Sequence, residues 1–290
     1  MNHTTTPMMK QRSSQKVLFS ESSSISSVLQ RIYSARNIQS SSDVEYALDK
    51  LLPPQQITHL SQAAECLAQH VQQQSAIIIF GDYDADGATS TALCVRALQA
   101  MGHRQVDFLL PDRFIDGYGL SEGVSKRVLK AKPNLVITVD TGIASVKGVD
   151  LLRQAKVDVI VTDHHLPAEK LPEASHIVNP NAFAESQGKN LAGVGVAFYL
   201  MLALRSALRA KGWFESRSEP NLADCLDLVA IGTLADLVPL DFYNRLLVKE
   251  GLKRLRAGAC SVGIKKLIEL SRKNIKTLTS QDIAFAVAPR

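Results

Sequence analysis

Four short apolar runs, each five residues long and separated by amphipathic segments, dominate the sequence from residue 76 onwards. They occupy residues 76–80, 106–110, 135–139 and 157–161. Short, mostly apolar runs of this length are typical of strands that are buried on both faces of a parallel sheet. The segments 88–101, 121–130 and 145–154 are long enough to be crossover helices. We therefore predict an α/β domain with a mostly parallel sheet flanked by helices.

The remaining chain predicts helices on either side of this domain. The first 25 residues are rich in Ser and Thr and poor in bulky apolar groups, which predicts a disordered tail. Helical periodicity at 28–33, 44–52 and 59–71 predicts a helical preface over 26–75. After residue 193 we expect helices at 194–210, 222–235, 245–256 and 264–271. The predicted divisions are a tail (1–25), the preface (26–75), the α/β domain (76–240) and a helical connector (241–290).

Charge and cysteine content exclude few classes of function. The formal net charge of +5 is concentrated in residues 241–290, which hold 11 basic and 4 acidic side chains. This permits a polyanionic partner, although a solvated helix face explains it equally well. The four cysteines are scattered without a CxxC pair and are expected to be buried, reduced thiols. Because no apolar run approaches the ~20 residues of a membrane span, we predict a cytoplasmic protein without membrane contact.

An acidic loop follows the first apolar run. Asp82, Asp84 and Asp86 alternate there, and Gly87 follows where a helix should begin. Crowded carboxylates repel one another unless a cation neutralises them, so the cluster predicts a hard-metal site at the carboxyl end of a strand. An EF-hand is disfavoured because Leu93 occupies its twelfth position, where a bidentate Glu is required. A solvated acidic turn remains an alternative.

Three further acidic positions follow predicted strands or lie in an apolar segment. Asp163-His164-His165 comes after the fourth run and Asp140 closes the third, so both should face the same edge as the acidic loop. Asp163 is expected to orient an imidazole through its second nitrogen. Asp236 is a carboxylate among apolar residues and requires a partner if it is buried. Taken singly, a structural role for the His pair and helix capping by Asp236 are the alternatives.

In combination these segments resemble the DHH phosphoesterase superfamily and, within it, the RecJ exonucleases, which degrade single-stranded DNA from the 5′ end. The resemblance covers about residues 28 to 290. It rests on segments that occur in the family order, namely Gly81–Gly87, Val139–Gly142, Thr162–His165 and Gly232–Asp236, with Asp112-Arg113, Gly117–Leu120, Val178–Asn181 and Leu191–Gly195 as further detail.

The resemblance implies a site with two divalent cations, Mn²⁺ or Mg²⁺. Asp140 would bridge them, Asp82 and Asp84 would serve one ion, and the other would be held by Asp86, His164 and Asp236. His165, with Asp163 as the second catalytic residue, would contact the phosphate, and Arg113 would bind substrate. Family membership implies release of 5′-mononucleotides in DNA repair and recombination. The partners implied are single-stranded DNA and repair proteins such as a helicase or a single-strand-binding protein.

Two departures limit the resemblance. Phe80 stands where several relatives have a metal-binding histidine, and Asp82 is expected to take over that coordination. Complete RecJ proteins also continue beyond the equivalent of Arg290, which predicts an amino-terminal fragment or truncated product with reduced exonuclease activity. The alternatives are a DHH enzyme acting on short oligoribonucleotides or adenosine bisphosphate, and a replication scaffold without enzymatic activity.

Overall fold

The computed structural model describes residues 25–290, apart from residues 37 and 39. The tail predicted over 1–25 therefore lies outside the described residues except for Ile25. The chain divides between Ala47 and Leu48 into two compact units. The first contains helix α1 (Ser27–Ser34), as predicted, and a 3-10 turn at Ser41–Val44.

The helix predicted over 44–52 is wrong. Residues 45–47 have no regular structure, and the second unit opens with 3-10 turns at Leu48–Lys50 and Pro54–Gln56. A physical reason lies in Pro53 and Pro54, because the residue before a proline is pushed out of the α region. The last predicted helix of the preface is confirmed as α2 (Leu60–Gln72).

The second unit is built on a five-stranded parallel sheet in the order β2-β1-β3-β4-β5. Its strands are β1 (Ile77–Gly81), β2 (Val106–Leu109), β3 (Leu135–Val139), β4 (Asp158–Thr162) and β5 (His176–Val178). The first four were predicted, but β5 was not. The prediction that all four runs are buried is wrong for β2, an edge strand whose Asp107 and Phe108 are exposed.

Helices cover both faces of this sheet or pack on the helices that do, and most match a predicted segment. They are α3 (Ala85–Ala100), α4 (Glu122–Lys130), α5 (Val146–Gln154), α6 (Gly193–Ala210), α7 (Leu226–Ala235), α8 (Phe242–Arg256), α9 (Val262–Leu270) and α10 (Ser280–Asp282). A π-helical turn, Ile283–Val287, follows α10.

Two apolar cores hold these layers together because successive strand residues point to opposite faces. In β1, Ile77 and Ile79 join the larger core, which includes α2, α3, α6 and α7. Ile78 and Phe80 join the smaller core with α4 and α5. Phe80 is fully buried in this second core.

Strand order places a crevice between β1 and β3. The connection that leaves β1 runs to β2 on one side, whereas the connection that leaves β3 runs to β4 on the other side. The two connections therefore diverge at the carboxyl ends of β1 and β3. Ligands of open α/β sheets bind at this kind of switch point. The acidic loop follows β1, Asp140 follows β3 and the Asp-His-His segment follows β4.

Helix α6 and two of the four cysteines lie in the interior of the fold. Among the described residues, α6 alone is long and apolar enough to cross a membrane, and 67% of it is buried inside this fold. The cysteines are free, as predicted, but only Cys94 and Cys225 are buried, whereas Cys66 and Cys260 are partly exposed.

Candidate metal centre

The acidic loop turns sharply from β1 into α3. Asp84 is the N-cap of α3, and its carboxylate accepts a hydrogen bond of 2.9 Å from the Gly87 amide. A Cβ on Gly87 would lie 2.5 Å from the carbonyl oxygen of Asp82, so only glycine allows the helix to begin this close to the loop. The turn leaves Asp82 buried and Asp84 exposed. Burial raises the pKa of Asp82, since it disfavours the charged form.

Asp86 lies in the first turn of α3, and its carboxylate is hydrogen-bonded to the N-terminus of α6. Its two carboxylate oxygens accept hydrogen bonds from the backbone amides of Gly193 (2.7 Å) and Val194 (2.9 Å). These amides have no partner within the helix, so an N-terminus favours an anion here. Burial, followed by the nearby charge of Asp140, nevertheless holds the pKa of Asp86 well above its ordinary value. Each oxygen retains acceptor capacity for a second partner.

Asp140 lies at the centre of the site in an unusual backbone conformation. Its φ of 59° is left-handed, a region that Asp tolerates better than most residues. The turn is held from behind, where the Thr138 hydroxyl donates to the carbonyl of Thr141 over 2.8 Å. Asp140 is buried, and this burial, with the charges of surrounding carboxylates such as Asp84, raises its pKa well above the usual range.

The Asp-His-His segment is organised by Asp163. Its buried carboxylate accepts hydrogen bonds from the amides of His164 (2.7 Å), His165 (3.1 Å) and Ile143 (2.9 Å), and the Nδ1 atom of His165 lies at 2.7 Å. Burial would raise the pKa of Asp163, but these hydrogen bonds outweigh it and the pKa is lowered. The same contact with Asp163 raises the pKa of His165. Asp163 therefore has the geometry of a positioning residue that fixes His165; its predicted catalytic role stays a prediction.

Two asparagines after β5 support this segment from below. Asn179 Nδ2 donates to the carbonyl oxygen of His165 over 2.9 Å, and Asn181 Nδ2 donates to that of His164 over 2.6 Å. The sequence motif Val178–Asn181 supported the family resemblance, but it gave no role to either side chain. Their partners are backbone atoms about 15 residues earlier in the chain, a contact that no sequence spacing indicates.

Asp236 is the C-cap residue of α7. A carboxylate is unfavourable at this end because the helix dipole is negative there, so N-terminal capping does not explain it. Burial raises the pKa of Asp236. Its Oδ2 atom lies 3.5 Å from His164 Nε2, which is also 3.2 Å from Asp140 Oδ1. Asp236 therefore faces the centre although it comes from the far end of the domain.

The predicted ligands meet in three overlapping groups. Within each group, one ligand atom per residue lies within 4.8 Å of the others; the groups are Asp82, Asp84 and Asp140; Asp86, His164 and Asp236; and Asp140, His164 and His165. Asp140 belongs to the first and third groups, and His164 belongs to the second and third; the bridging role of Asp140 stays a prediction. The third group also makes His165 a candidate ligand, which the sequence had assigned only to phosphate contact.

Three buried atoms in these groups indicate that a cation fits. Asp82 Oδ1, Asp140 Oδ1 and His164 Nε2 have no hydrogen-bond partner among the described residues. Buried polar atoms without a partner are costly and rare. Here they comprise two carboxylate oxygens, the donors that suit Mg²⁺ and Mn²⁺, and one imidazole nitrogen, a donor for transition-metal ions. The residues present therefore suit divalent ions.

Arg113 lies beside these groups and contributes to none of them. Its guanidinium carbon is 5.3 Å from the centre of the Tyr83 ring, and Tyr83 separates Asp82 from Asp84 in the acidic loop. The side chain is exposed. It can therefore meet an anion that approaches the metal centre.

Fold and site together define an α/β protein built to hold divalent ions in the switch-point crevice of a parallel sheet. The sequence model described as "DHH family, N-terminal domain" matches residues 76–233. The chain therefore belongs to the DHH family.

Curated relatives and solved structures point to one branch of that family. The chain is 48% identical over 266 residues to the single-stranded-DNA-specific exonuclease RecJ of Salmonella typhimurium, an alignment that covers 91% of this chain and 46% of the relative. A crystal structure of exonuclease RecJ bound to manganese is 37% identical with a TM-score of 0.70, covering 82% of this chain and 57% of the other. RecJ from Thermus thermophilus in complex with Mn²⁺ is 35% identical with a TM-score of 0.72, covering 89% and 35%. The chain thus spans about half the length of the curated relatives it matches.

Proposed function

We propose that this chain carries the metal-dependent catalytic centre of a 5′–3′ exonuclease specific for single-stranded DNA, which hydrolyses phosphodiester bonds and releases 5′-mononucleotides. The observation that carries the proposal is the junction at Asp140 and His164, where three ligand groups share residues and buried donor atoms lack protein partners. The relatives' names, which specify an exonuclease on single-stranded DNA, support the choice of substrate.

Two divalent ions are proposed to occupy the centre, with Asp140 between them. Asp82 and Asp84 would hold one ion, and Asp86, His164 and Asp236 would hold the other. When bound, such a pair polarises the phosphate, activates a water molecule and stabilises the leaving oxygen. Mixed carboxylate and imidazole ligands suit manganese, which is present in two of the similar solved structures.

The protein's own groups would bind and orient the phosphate. The hydrogen bond with Asp163 engages Nδ1 of His165 and favours the protonated ring, so the Nε2–H group is left to donate to a phosphate oxygen. Arg113 adds an exposed guanidinium beside the acidic loop, suited to the next phosphate along the strand. Asp163 acts through His165 and does not itself need to touch the substrate.

Biological context follows from the same proposal. We propose action on single-stranded DNA in the cytoplasm during repair and recombination, and the four free thiols suit a reducing compartment. A helicase or single-strand-binding protein as partner stays a prediction.

The test is hydrolysis of a labelled single-stranded oligonucleotide with Mn²⁺, with EDTA as the negative control. Phosphorothioate linkages at the 5′ end should block degradation, whereas the same linkages at the 3′ end should not. The duplex of the same sequence should be resistant. Preference for oligoribonucleotides of a few residues would instead favour the short-substrate DHH enzymes. Binding of DNA without metal-dependent hydrolysis would favour the scaffold.

A further inference from the structure

An unusually exposed apolar tip lies near the metal centre. The loop of residues 112–116, here called the tip loop, presents Phe114 with 94% and Ile115 with 81% of its surface exposed. Large apolar side chains held this far into solvent are unfavourable unless a ligand covers them. The tip loop is thus a candidate contact surface.

Hydrogen bonds hold the tip loop in one shape. The Asp112 carboxylate accepts from the amides of Phe114 (2.8 Å) and Ile115 (3.3 Å), and the Asp112 carbonyl accepts from the Asp116 amide (2.8 Å). The Asp116 carboxylate in turn accepts from the Asp112 amide (2.7 Å) and from Arg127 Nη1 of α4 (2.6 Å). The exposed side chains are therefore presented by an ordered turn, which reduces the entropy lost when a ligand binds.

The tip loop is continuous with the metal centre at two points. Arg113, inside the loop, lies over the ring of Tyr83 in the acidic loop. Just beyond the loop, the hydroxyl oxygen of Tyr118 is 3.4 Å from Nδ1 of His165. Because Phe114 directly follows Arg113 in the chain, a strand whose phosphate contacts Arg113 would bring a neighbouring base to the tip loop.

We propose that Phe114 is a stacking platform for an unpaired base of single-stranded nucleic acid. The inference rests on the function proposed above and adds how the single-stranded state is recognised. An exposed ring that directly follows an arginine in the chain suits one nucleotide: the ring would stack on the base, and Arg113 would contact the phosphate. In a duplex both faces of an internal base are already stacked, so the ring finds no free π-face.

The experiment compares two fluorescent 12-mers, one of thymidine and one of abasic spacers with the same phosphates, by anisotropy in EDTA so that neither is cleaved. Phe114→Ala should weaken binding of the thymidine probe by about tenfold, the range of one lost base stack, and leave the abasic probe within about twofold of wild type. Phe114→Trp should keep wild-type affinity, whereas Phe114→Leu should resemble the alanine variant. Phe285→Ala, which removes another largely exposed ring (78%) from the C-terminal turn, is the control and should change neither probe.

Three results would overturn the inference. They are equal losses on both probes, full affinity in Phe114→Leu, and absence of any binding of the thymidine probe by wild type. The first two results would assign the tip loop to phosphate contact or to apolar docking of a protein. Mn²⁺-dependent hydrolysis by wild type is measured in parallel, because its absence defeats the proposed function, whereas hydrolysis without a base-dependent effect defeats only the stacking platform.

Discussion

The two edges of the sheet carry the same kinds of side chain in opposite circumstances. At the amino edge, Asp158 begins β4 with its side chain 52% exposed, and it contacts His70 Nε2 at 3.2 Å and the Ser175 hydroxyl at 2.8 Å. At the carboxyl edge, Asp140 and His164 lie 3.2 Å apart, yet neither facing atom makes a hydrogen bond within the described chain. The Asp158 carboxylate is therefore satisfied by protein and solvent.

This difference between the edges indicates that the buried carboxylates at the carboxyl edge lower the stability of the metal-free protein and serve ligand binding. Asp82, Asp86, Asp140 and Asp236 all have raised pKa values, with burial as the largest cause in each. Ionised at neutral pH without a counter-ion, they repel one another and destabilise the fold. A bound cation converts this cost into affinity, because it binds the folded state and not the unfolded chain.

The largest effect is expected when Asp140, which belongs to two candidate ligand groups at the carboxyl edge, is replaced. Asp140→Asn keeps the left-handed backbone conformation accessible but removes the charge common to two ligand groups. We expect Mn²⁺-dependent hydrolysis to fall below detection and the rise in melting temperature on adding Mn²⁺ to disappear. In EDTA the variant should melt above wild type, because one of several repelling carboxylates is gone.

Asp158→Asn is the matched control at the amino edge. It removes a half-exposed carboxylate that is paired with His70, and exposed pairs contribute at most about 1 kcal/mol to stability. Hydrolysis and the Mn²⁺-induced shift should therefore match wild type. If Asp140→Asn retained the Mn²⁺ shift, the two edges would not differ in the way described.

A second prediction separates two glycines of α6. A Cβ on Gly193 would lie 2.6 Å from Cγ of Asp140, whereas one on Gly195 would meet only the Leu191 side chain at 3.3 Å or more. Gly193→Ala should cost about 1–3 kcal/mol by overpacking and should displace Asp140, lowering Mn²⁺ affinity. Gly195→Ala should be near neutral, since alanine favours the helix by up to about 1 kcal/mol. Chemical denaturation and Mn²⁺ titration of both variants measure this; equal effects would contradict it.

Much of this architecture could be predicted because its determinants are local. The apolar runs that became β1, β3 and β4 are buried on both faces, so their composition alone identifies them. Strand β5 was not predicted because its three residues, His176–Val178, are too few to show a hydrophobic periodicity. The exposure of β2 was also missed, because an edge position depends on strand order and is not encoded in the run itself.

The same distinction applies to the site. The acidic loop could be predicted from one segment, since Asp84 caps the helix that follows it and Gly87 avoids a clash with the backbone of Asp82 in the same loop. The supports of the other ligands come from residues far apart in sequence, such as the Gly193 amide on Asp86, 107 positions away. Tertiary packing alone reveals these contacts, so the candidate ligands could be proposed from the sequence, whereas most of the groups that hold them could not.

The asparagine beneath His164 provides a third, smaller test of the carboxyl edge. Asn181→Ala removes the 2.6 Å hydrogen bond to the His164 carbonyl without touching any ligand atom. Residues that only support ligands typically change metal affinity by about 10- to 100-fold, and we expect a Mn²⁺ dissociation constant raised within that range. Asn221→Ala, which removes a cap from the turn Leu222–Cys225, should leave Mn²⁺ affinity unchanged. An Asn181→Ala variant with wild-type affinity would show that the loop needs no such support.

The smallest effect is expected near the amino edge, where His103 is the buried exception. Neither ring nitrogen has a hydrogen-bond partner in the described part of the chain, and burial lowers its pKa. The unfolded chain therefore takes up a proton near pH 6.5 while the folded protein stays neutral, so stability is present above that pH and is lost as the pH falls below it. His103→Leu should remove this component, and its advantage over wild type in unfolding free energy should grow from pH 7.5 to 5.5 by at most about 1.4 kcal/mol per pH unit. Urea denaturation at both pH values measures the difference. A constant difference would mean that His103 is solvated when charged, and that its burial does not perturb its titration.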